Sequence, residues 1–316
     1  MIKYGFILNP DKELLPDYKI SPFSTSDLAR NRDLPDSNLI DEYFHDRFKH
    51  SRFCYTKNGR FAINLALQHY NLNSEDCVTI FTTTGNMYIS SCVTKEIEKF
   101  CQWSRRIEEN TKLFLVNHEF GYPHEGLAQL KSYGMPIIED CAHSFFSRDE
   151  NCLIGTLGDY VIYSFPKMFP LQIGGLLVSN LEQKNNAQQI ENHITYEEIR
   201  YIKNVISHYI YRSEEIMKSR LENYINLRKL LEPLNLFERF QLKNGIVPGV
   251  FMFTIHLGND FLSKFKEYMY QHGIQCSVFY GENAFFIPIH QNLKSEDLIY
   301  FREVISSFQG ISSQEF

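Results

Sequence analysis

Two polar motifs with side chains suited to acid–base or covalent chemistry follow apolar segments of the sequence. Asp140 and His143 follow the segment PIIE, and Ser164 and Lys167 lie in the motif YSFPK. A carboxylate at a strand end can pair with a protonated ring nitrogen of a cofactor. A lysine among apolar residues can act as a nucleophile or form a Schiff base with an aldehyde. Each residue alone is more often a turn cap, a core histidine or a solvated lysine, but together they favour a binding site.

Two glycine motifs could bring the backbone close to a ligand. Asn58-Gly59-Arg60 opens a predicted helix, where free N–H groups and the helix dipole favour a phosphate. By itself, Asn-Gly is more often a plain turn. Gly174-Gly175 precedes the apolar run LLV and permits either a close approach to a ligand or an ordinary turn.

Short apolar strands alternate with helical segments from Asn58 onward, which predicts an α/β domain with a mostly parallel sheet. Ligands of such sheets bind beyond the carboxyl ends of the strands, so the four motifs should meet there. The predicted strands are 78–81, 113–116, 136–139, 160–165 and 176–179, and the predicted helices are one beginning after Gly59, 86–101 and 126–133.

The pattern changes after about residue 185, where polar sequence with helical spacing replaces the alternation. We therefore predict a large domain over 1–205, with an irregular segment over 1–50, and a smaller C-terminal α+β domain over 206–316. The smaller domain is predicted to hold strands near 250–256, 275–279 and 284–288, and helices over 260–272 and from Ser295.

The composition excludes several classes of protein. The 316 residues are 43% hydrophobic and 22% charged, which is typical of a globular protein, and the net charge of -6 argues against nucleic acid or anionic membranes as partners. The seven cysteines form no Cys-x-x-Cys pair, so neither a metal site nor a disulfide framework is predicted. The sequence has no run of about 18 apolar residues and no signal-peptide pattern, so we expect a cytoplasmic protein.

Several segments resemble one enzyme family. NGRFAINLAL, VNHEFGYP, PIIEDCAHS, GTLGDYVIYSF and FFIPIHQNLKSEDL are similar to the DegT/DnrJ/EryC1/StrS family of sugar aminotransferases, which depend on pyridoxal 5'-phosphate (PLP). The resemblance implies the PLP-dependent transferase fold, with a mostly parallel seven-stranded sheet and a smaller C-terminal domain. It also implies a homodimer that transfers an amino group from glutamate or glutamine to a nucleotide-linked keto-sugar.

The resemblance assigns a role to each motif. Asp140 matches the carboxylate that pairs with the pyridine nitrogen, and Lys167 is the candidate for the Schiff base, so these two are the predicted catalytic residues. His143 matches the residue that lies against the cofactor ring, and His118 matches a structural histidine. The residues that match the phosphate-binding positions are Asn58, Gly59, Arg60 and Ser164.

The position of the lysine leaves two alignments open. Family members usually carry it five residues after the serine, where this chain has Phe169. Counted back from Gly174-Gly175, Lys167 takes its place. If Lys167 is a bystander, the chain is instead a catalytically impaired relative that binds PLP, a nucleotide sugar or a partner protein. A dehydrating enzyme is less favoured, because known dehydrating relatives have histidine in place of the lysine.

Two further departures concern the walls of the site. The aromatic residue that usually stacks on the cofactor aligns with a stretch near Thr83–Asn86, which offers no ring. Phe81, Tyr88 or His143 would then have to stack. In addition, residues 181–205 show nothing similar to the segment that completes the partner subunit's site in the family.

Overall fold

The computed structural model describes residues 16–49, 51–148, 154–181, 194–255 and 259–308, which form two compact units. The large unit is Phe23–Ser213 with Asn244–Val247. The small unit contains the described residues of Met1–Pro22, Glu214–Lys243 and Pro248–Phe316.

Seven strands of the large unit form one sheet. They are β1 (Arg52–Thr56), β2 (Cys77–Thr82), β3 (Gln102–Ser104), β4 (Thr111–Asn117), β5 (Ile137–Asp140), β6 (Tyr160–Ser164) and β7 (Gly175–Ser179), in the order β1-β7-β6-β5-β4-β2-β3. All neighbours from β6 to β3 are parallel, whereas β7 is antiparallel to both β6 and β1. The predicted α/β fold with a mostly parallel seven-stranded sheet is confirmed.

Helices cover the sheet because its central strands are apolar on both faces. The helices of the large unit are α1 (Ser26–Arg32), α2 (Leu39–Phe48), α3 (Gly59–Gln68), α4 (Ser91–Ile97), α5 (Leu127–Lys131) and α6 (Tyr196–Ile210). Buried residues of α3 and α4 pack with those of β2 and β4 in one core. Elsewhere in this unit, Phe44, Phe145, Phe165 and Phe169 form an aromatic cluster in which neighbouring rings lie 5.2 to 6.3 Å apart.

The small unit has a three-stranded antiparallel sheet. Its elements are α7 (Ser213–Leu231), β8 (Phe251–Thr254), α8 (Asn259–Gln271), β9 (Ser277–Phe279), β10 (Ala284–Ile287) and α9 (Ser295–Ser307), with the strand order β8-β10-β9. The three predicted strands are present here with shorter bounds. The helix predicted over 260–272 is α8, which starts one residue earlier, and the helix predicted from Ser295 is α9. None of the helices in the described ranges combines the length and the apolar character that crossing a bilayer requires.

Three local predictions differ from the structure. The described part of the segment over 1–50, predicted to be irregular, contains α1 and α2, because Ile40, Phe44 and Phe48 recur every fourth residue and are buried. The helix predicted over 86–101 is confined to α4, whose first turn is capped by the Ser90 hydroxyl. The strands β1 and β3 were not predicted, since their sequences RFCYT and QWS are not apolar runs.

The division between the units comes later than the predicted boundary after residue 205. That boundary falls within α6, which is part of the large unit and is hydrogen-bonded to the segment around α2. The Asn204 side chain accepts a hydrogen bond from Ser37 N at 3.0 Å, and the Ser207 hydroxyl accepts one from Ile40 N at 3.1 Å. The chain also returns to the large unit at Asn244–Val247, where Val247 N donates to the Ser147 hydroxyl, which in turn donates to Val247 O.

Gly175 fixes the distance between β7 and the start of α3. A Cβ atom on Gly175 would lie 2.7 Å from the backbone carbon of Asn58 and 2.9 Å from Gly59 N. Because backbone atoms cannot rotate away, we expect Gly175→Ala to lower the free energy of unfolding by about 3 kcal/mol in urea titrations.

Gly134→Ala is the control, because its added Cβ meets no atom within 4 Å and only its φ of +69° opposes alanine. We expect it to cost about 1 kcal/mol. Equal losses in the two variants would contradict the predicted clash at Gly175.

Candidate active site

The carboxyl ends of β4 and β5 bring Asn117 and Asp140 side by side. The Asn117 side-chain amide donates a hydrogen bond of 2.8 Å to one carboxylate oxygen of Asp140, and Ala142 N donates one of 3.0 Å to the other. Asp140 is only 3% exposed. Burial raises the pKa of its carboxyl group, and these two hydrogen bonds together with the charge of Lys167 oppose that rise. The carboxylate is thus presented at the edge of the sheet by a fixed set of donors.

The start of α3 and the end of β6 form a cradle of hydrogen-bond donors. The Asn58 side chain caps α3 by accepting from Phe61 N. This leaves the N–H groups of Gly59 and Arg60 outside the intrahelical ladder. A Cβ on Gly59 would lie 3.1 Å from Ser164 Cβ and 3.6 Å from its hydroxyl oxygen, so glycine allows this close approach without displacing Ser164. Two backbone N–H groups and a hydroxyl suit a phosphate. The structure therefore brings together the four residues predicted to bind phosphate.

Lys167 ends a single 3₁₀ turn, Phe165–Lys167, that directly follows β6. Its side chain is half-buried. Burial lowers the pKa of its amine, and the electrostatic influence of Cys92 and Asp140 opposes this. The Lys167 amine and the Asp140 carboxylate therefore influence each other electrostatically.

Phe169, at the position where the family usually carries its lysine, is a core residue. Its side chain has no exposed surface, and its ring lies 5.2 Å from that of Phe145 and 5.6 Å from that of Phe146. A side chain packed in this way points into the aromatic cluster. Of the two alignments left open by the sequence, the geometry favours the one that uses Lys167.

An aromatic group lies beside His143. The ring of Phe120 is 5.2 Å from His143 and 6.4 Å from Tyr88. Of the three predicted stacking candidates, Tyr88 and His143 therefore belong to one aromatic group. Phe81 packs instead on Phe114, at 5.2 Å. Sequence analysis missed Phe120, although it lies in the segment VNHEFGYP that resembles the family.

Phe120 has the left-handed backbone conformation, with φ of 51° and ψ of 28°. This conformation is strained for a bulky residue and persists only where neighbouring contacts impose it. Here Glu119 supplies them: its carboxylate accepts hydrogen bonds of 2.8 Å from both the N–H and the hydroxyl of Thr84, and its own N–H donates to the Thr83 hydroxyl. The loops after β2 and β4 are thus bonded together at Glu119, the residue that precedes Phe120.

His118 and Glu139 form a buried pair beneath the site. His118 Nε2 donates to Glu139 at 3.0 Å, because His118 Nδ1 accepts from His124 N. The Glu139 carboxylate also accepts from three backbone N–H groups, those of Gly155, Leu157 and Gly158. Together with Cys141 these residues have the composition of a metal site. Their nitrogen and carboxylate atoms are already hydrogen-bonded, so the arrangement fits the structural role expected for His118.

A thiol that sequence analysis did not single out contacts Arg60. Arg60 Nη2 donates to Cys92 Sγ at 2.9 Å. Burial raises the pKa of the Cys92 thiol, but the hydrogen bonds from Arg60 and Ser90 and the charges of Arg60 and Lys167 outweigh burial, so the pKa is lowered overall. The thiol therefore lies within the electrostatic reach of both cations.

Comparison with known proteins assigns the chain to a family. Residues 40–245 match the profile of the family described as "Putative PLP-dependent aminotransferase". This match covers more than half of the chain, so the chain belongs to that family of PLP-dependent enzymes. GDP-perosamine synthase from Escherichia coli O157:H7 is 29% identical over 162 residues, which are 43% of this chain and 44% of that enzyme. The match spans less than half the length of this curated relative.

Solved structures share the fold. The aminotransferase TlmJ from Streptoalloteichus hindustanus has a TM-score of 0.71 at 15% identity, over 91% of this chain and 97% of that one. A DegT/DnrJ/EryC1/StrS aminotransferase from Brucella abortus has a TM-score of 0.66 at 14% identity, over 90% and 94% of the two chains. The family match confirms the resemblance to PLP-dependent aminotransferases and the predicted dependence on PLP. The solved structures confirm the fold that the resemblance implied.

Burial of the charged Asp140 carboxylate should lower the free energy of unfolding of the cofactor-free chain. Because the folded-state pKa is raised, the folded chain retains a proton that the unfolded chain releases above its ordinary value of 3.8, and stability falls as the pH rises through the folded-state pKa. We expect the free energy of unfolding of cofactor-free Asp140→Asn, relative to the wild type, to increase from about pH 3, where both states of the wild type bind the proton, to neutral pH. The amide has only one acceptor oxygen for the two donors, Asn117 and Ala142, so this pH dependence measures the cost of burying the charge.

Urea titrations at several pH values measure this difference. The control is Asp33→Asn, which removes a carboxylate whose side chain is 72% exposed and should change stability little. A difference between Asp140→Asn and the wild type that does not change between about pH 3 and neutral pH would contradict the predicted cost of burial.

The left-handed backbone at Phe120 predicts an unusual order of stabilities. Both Phe120→Gly and Phe120→Ala lose the ring, but only glycine adopts this conformation without strain. We expect the glycine variant to be more stable than the alanine variant by about 1 kcal/mol in urea titrations. At Phe169, which has no positive φ, alanine should be the more stable replacement. The same order at both positions would contradict the strain at Phe120.

Proposed function

We propose that this chain is a PLP-dependent aminotransferase that transfers an amino group to a keto-sugar. The observation that carries the proposal is the half-buried amine of Lys167 within the electrostatic reach of the buried Asp140 carboxylate, close in sequence to the phosphate-type donor Ser164. A ring-nitrogen partner, a reactive amine and an anion cradle are what PLP requires from a protein. The residues present therefore fit the cofactor of the family.

The cofactor, when bound, supplies an aldehyde and an electron-withdrawing ring. We assign its phosphate to the N–H groups of Gly59 and Arg60, at the helix start capped by Asn58, and to the Ser164 hydroxyl. Asp140 would hold a proton on the ring nitrogen, and His143 would lie against the ring. These are the residue roles that the resemblance implies.

Lys167 would act both as nucleophile and as base. Its lowered pKa leaves more of the amine neutral at neutral pH, and only the neutral amine can attack an aldehyde. Once released, the same amine would move a proton between Cα of the amino donor and C4' of the cofactor. The hydrogen bonds to Asp140 from Asn117 and Ala142 would keep the opposing charge in place during this transfer.

The choice of a sugar as acceptor follows the relatives. One relative is named GDP-perosamine synthase, and another chain of the same fold is a sugar aminotransferase, CalS13 from Micromonospora echinospora. We extend this to a nucleotide-linked keto-sugar with glutamate or glutamine as donor, and to a cytoplasmic homodimer, as the resemblance implies. The catalytically impaired alternative is not favoured, because Phe169, whose position raised that alternative, is packed in the core, whereas the Lys167 amine is within the electrostatic reach of Asp140.

Reduction with borohydride tests the assignment of Lys167. We expect PLP-saturated protein to show the visible absorbance of a protonated imine, and borohydride to fix the label on the peptide that contains Lys167. Lys167→Ala should lose both signals, because it removes the amine assigned to the imine. Lys99→Ala should keep them, since Lys99 is an exposed partner of Glu96. A label elsewhere, or no imine absorbance in saturated wild-type protein, would end this proposal.

A further inference from the structure

We propose that the guanidinium of Arg60 binds the α-carboxylate of the amino donor and is held in position by the Cys92 thiol. This assigns the Arg60 side chain a role separate from that of its backbone N–H in the phosphate cradle. The inference rests on the proposed function, because it names the group that would recognise the donor of that reaction. The family commonly has threonine here, so the guanidinium is a feature of this chain.

The hydrogen bonds of Arg60 leave most of its donors available. A guanidinium has five N–H donors, and within the described ranges only Nη2 is engaged, with Cys92 Sγ at 2.9 Å. No carboxylate in those ranges lies within ion-pair distance of Arg60. Glu96, which acts on it electrostatically, is bonded instead to Lys99 at 2.7 and 2.8 Å and to Asn64 at 3.0 Å. The guanidinium is therefore both anchored and able to accept an anionic partner.

Cys92 connects Arg60 to the reacting amine. The thiol is influenced by the charges of both Arg60 and Lys167, and Lys167 is in turn influenced by Asp140. The sulfur atom thus contacts one cation, Arg60, and is under the electrostatic influence of a second, Lys167, in a chain whose net charge is -6. A local concentration of positive charge in an acidic protein favours an anionic ligand at that point.

The chemistry of the donor selects the carboxylate. In an α-amino acid the amine and the carboxylate are attached to the same carbon, so the group that holds the carboxylate has to lie next to the place where the amine reacts. Arg60 is placed for this by its 2.9 Å hydrogen bond to Cys92, a thiol on which the charge of Lys167 acts. Its planar fork also matches a carboxylate with two parallel hydrogen bonds, which a lysine cannot offer.

Substitution of Arg60 separates the two roles. Arg60→Thr keeps the backbone N–H and removes the guanidinium. We expect the KM for glutamate to rise by about 10-fold or more, because the variant loses a charge-assisted hydrogen bond to the carboxylate. The Kd for PLP should change by less than about threefold. Cys92→Ala should raise the same KM by a smaller factor, because the guanidinium remains but loses its anchor. A higher Kd for PLP with an unchanged KM would assign the guanidinium to the cofactor phosphate and overturn the proposal.

A second measurement needs no turnover. The rate of Cys92 alkylation by iodoacetamide, followed by peptide mapping in the PLP-loaded protein, should fall when glutarate is added at constant ionic strength. The reason is that a carboxylate recruits Arg60 and weakens its hydrogen bond to the thiol. Arg60→Thr should alkylate at a rate independent of glutarate. Protection by GDP but not by glutarate would assign Arg60 to a phosphate of the acceptor and overturn the proposal.

The two proposals fail separately. Absence of a borohydride label on Lys167 would remove the aminotransferase assignment and leave the glutarate result standing as a measure of carboxylate binding. Labelled Lys167 with glutarate-independent alkylation in the wild-type protein would leave the aminotransferase assignment intact and remove the role of Arg60.

Discussion

The carboxylate of Asp140 is buried at the end of a central strand, and the groups around it offset part of the cost of burying its charge. Burial alone favours the protonated acid. Against this the fold sets the Asn117 amide, the Ala142 N–H and the amine of Lys167, each delivered by a different strand end or turn. The parallel order of β4, β5 and β6 is what brings these groups to one edge, so the sheet topology and the electrostatics of the site depend on each other.

Two adjacent acids on β5 show how one strand serves structure and site together. Side chains of neighbouring strand residues point to opposite faces of the sheet. Asp140 faces the donors of the site. The Glu139 carboxylate instead accepts hydrogen bonds from His118 and from three N–H groups of the loop that leads to β6. That loop sets the start of β6, and β6 ends in Ser164 and Lys167. The buried pair of Glu139 and His118 therefore helps to position Ser164 and Lys167 from the opposite face of the strand.

The sequence allowed prediction of the central strands and of the side chains at their ends, because apolar runs mark buried strands and parallel strands end at one edge. It did not reveal α2, since the buried Ile40, Phe44 and Phe48 are separated by charged residues in a stretch rich in proline and serine nearby. Phe120 and Glu119 were missed because a left-handed phenylalanine is imposed by tertiary hydrogen bonds rather than by local preference. The contact between Arg60 and Cys92 joins residues 32 positions apart in the sequence, so no local sequence pattern could predict it.

The return of Asn244–Val247 to the large unit means that the polypeptide passes between the two units more than once. A fragment that stopped at Ser213 would lack the segment whose backbone both donates to and accepts from Ser147, and would leave that fully buried hydroxyl without either bond. Proteolysis or gene truncation at the apparent border would thus damage the larger piece. Because each unit is built from more than one segment of the chain, exchanging a unit with that of a relative would require more than one junction in the polypeptide.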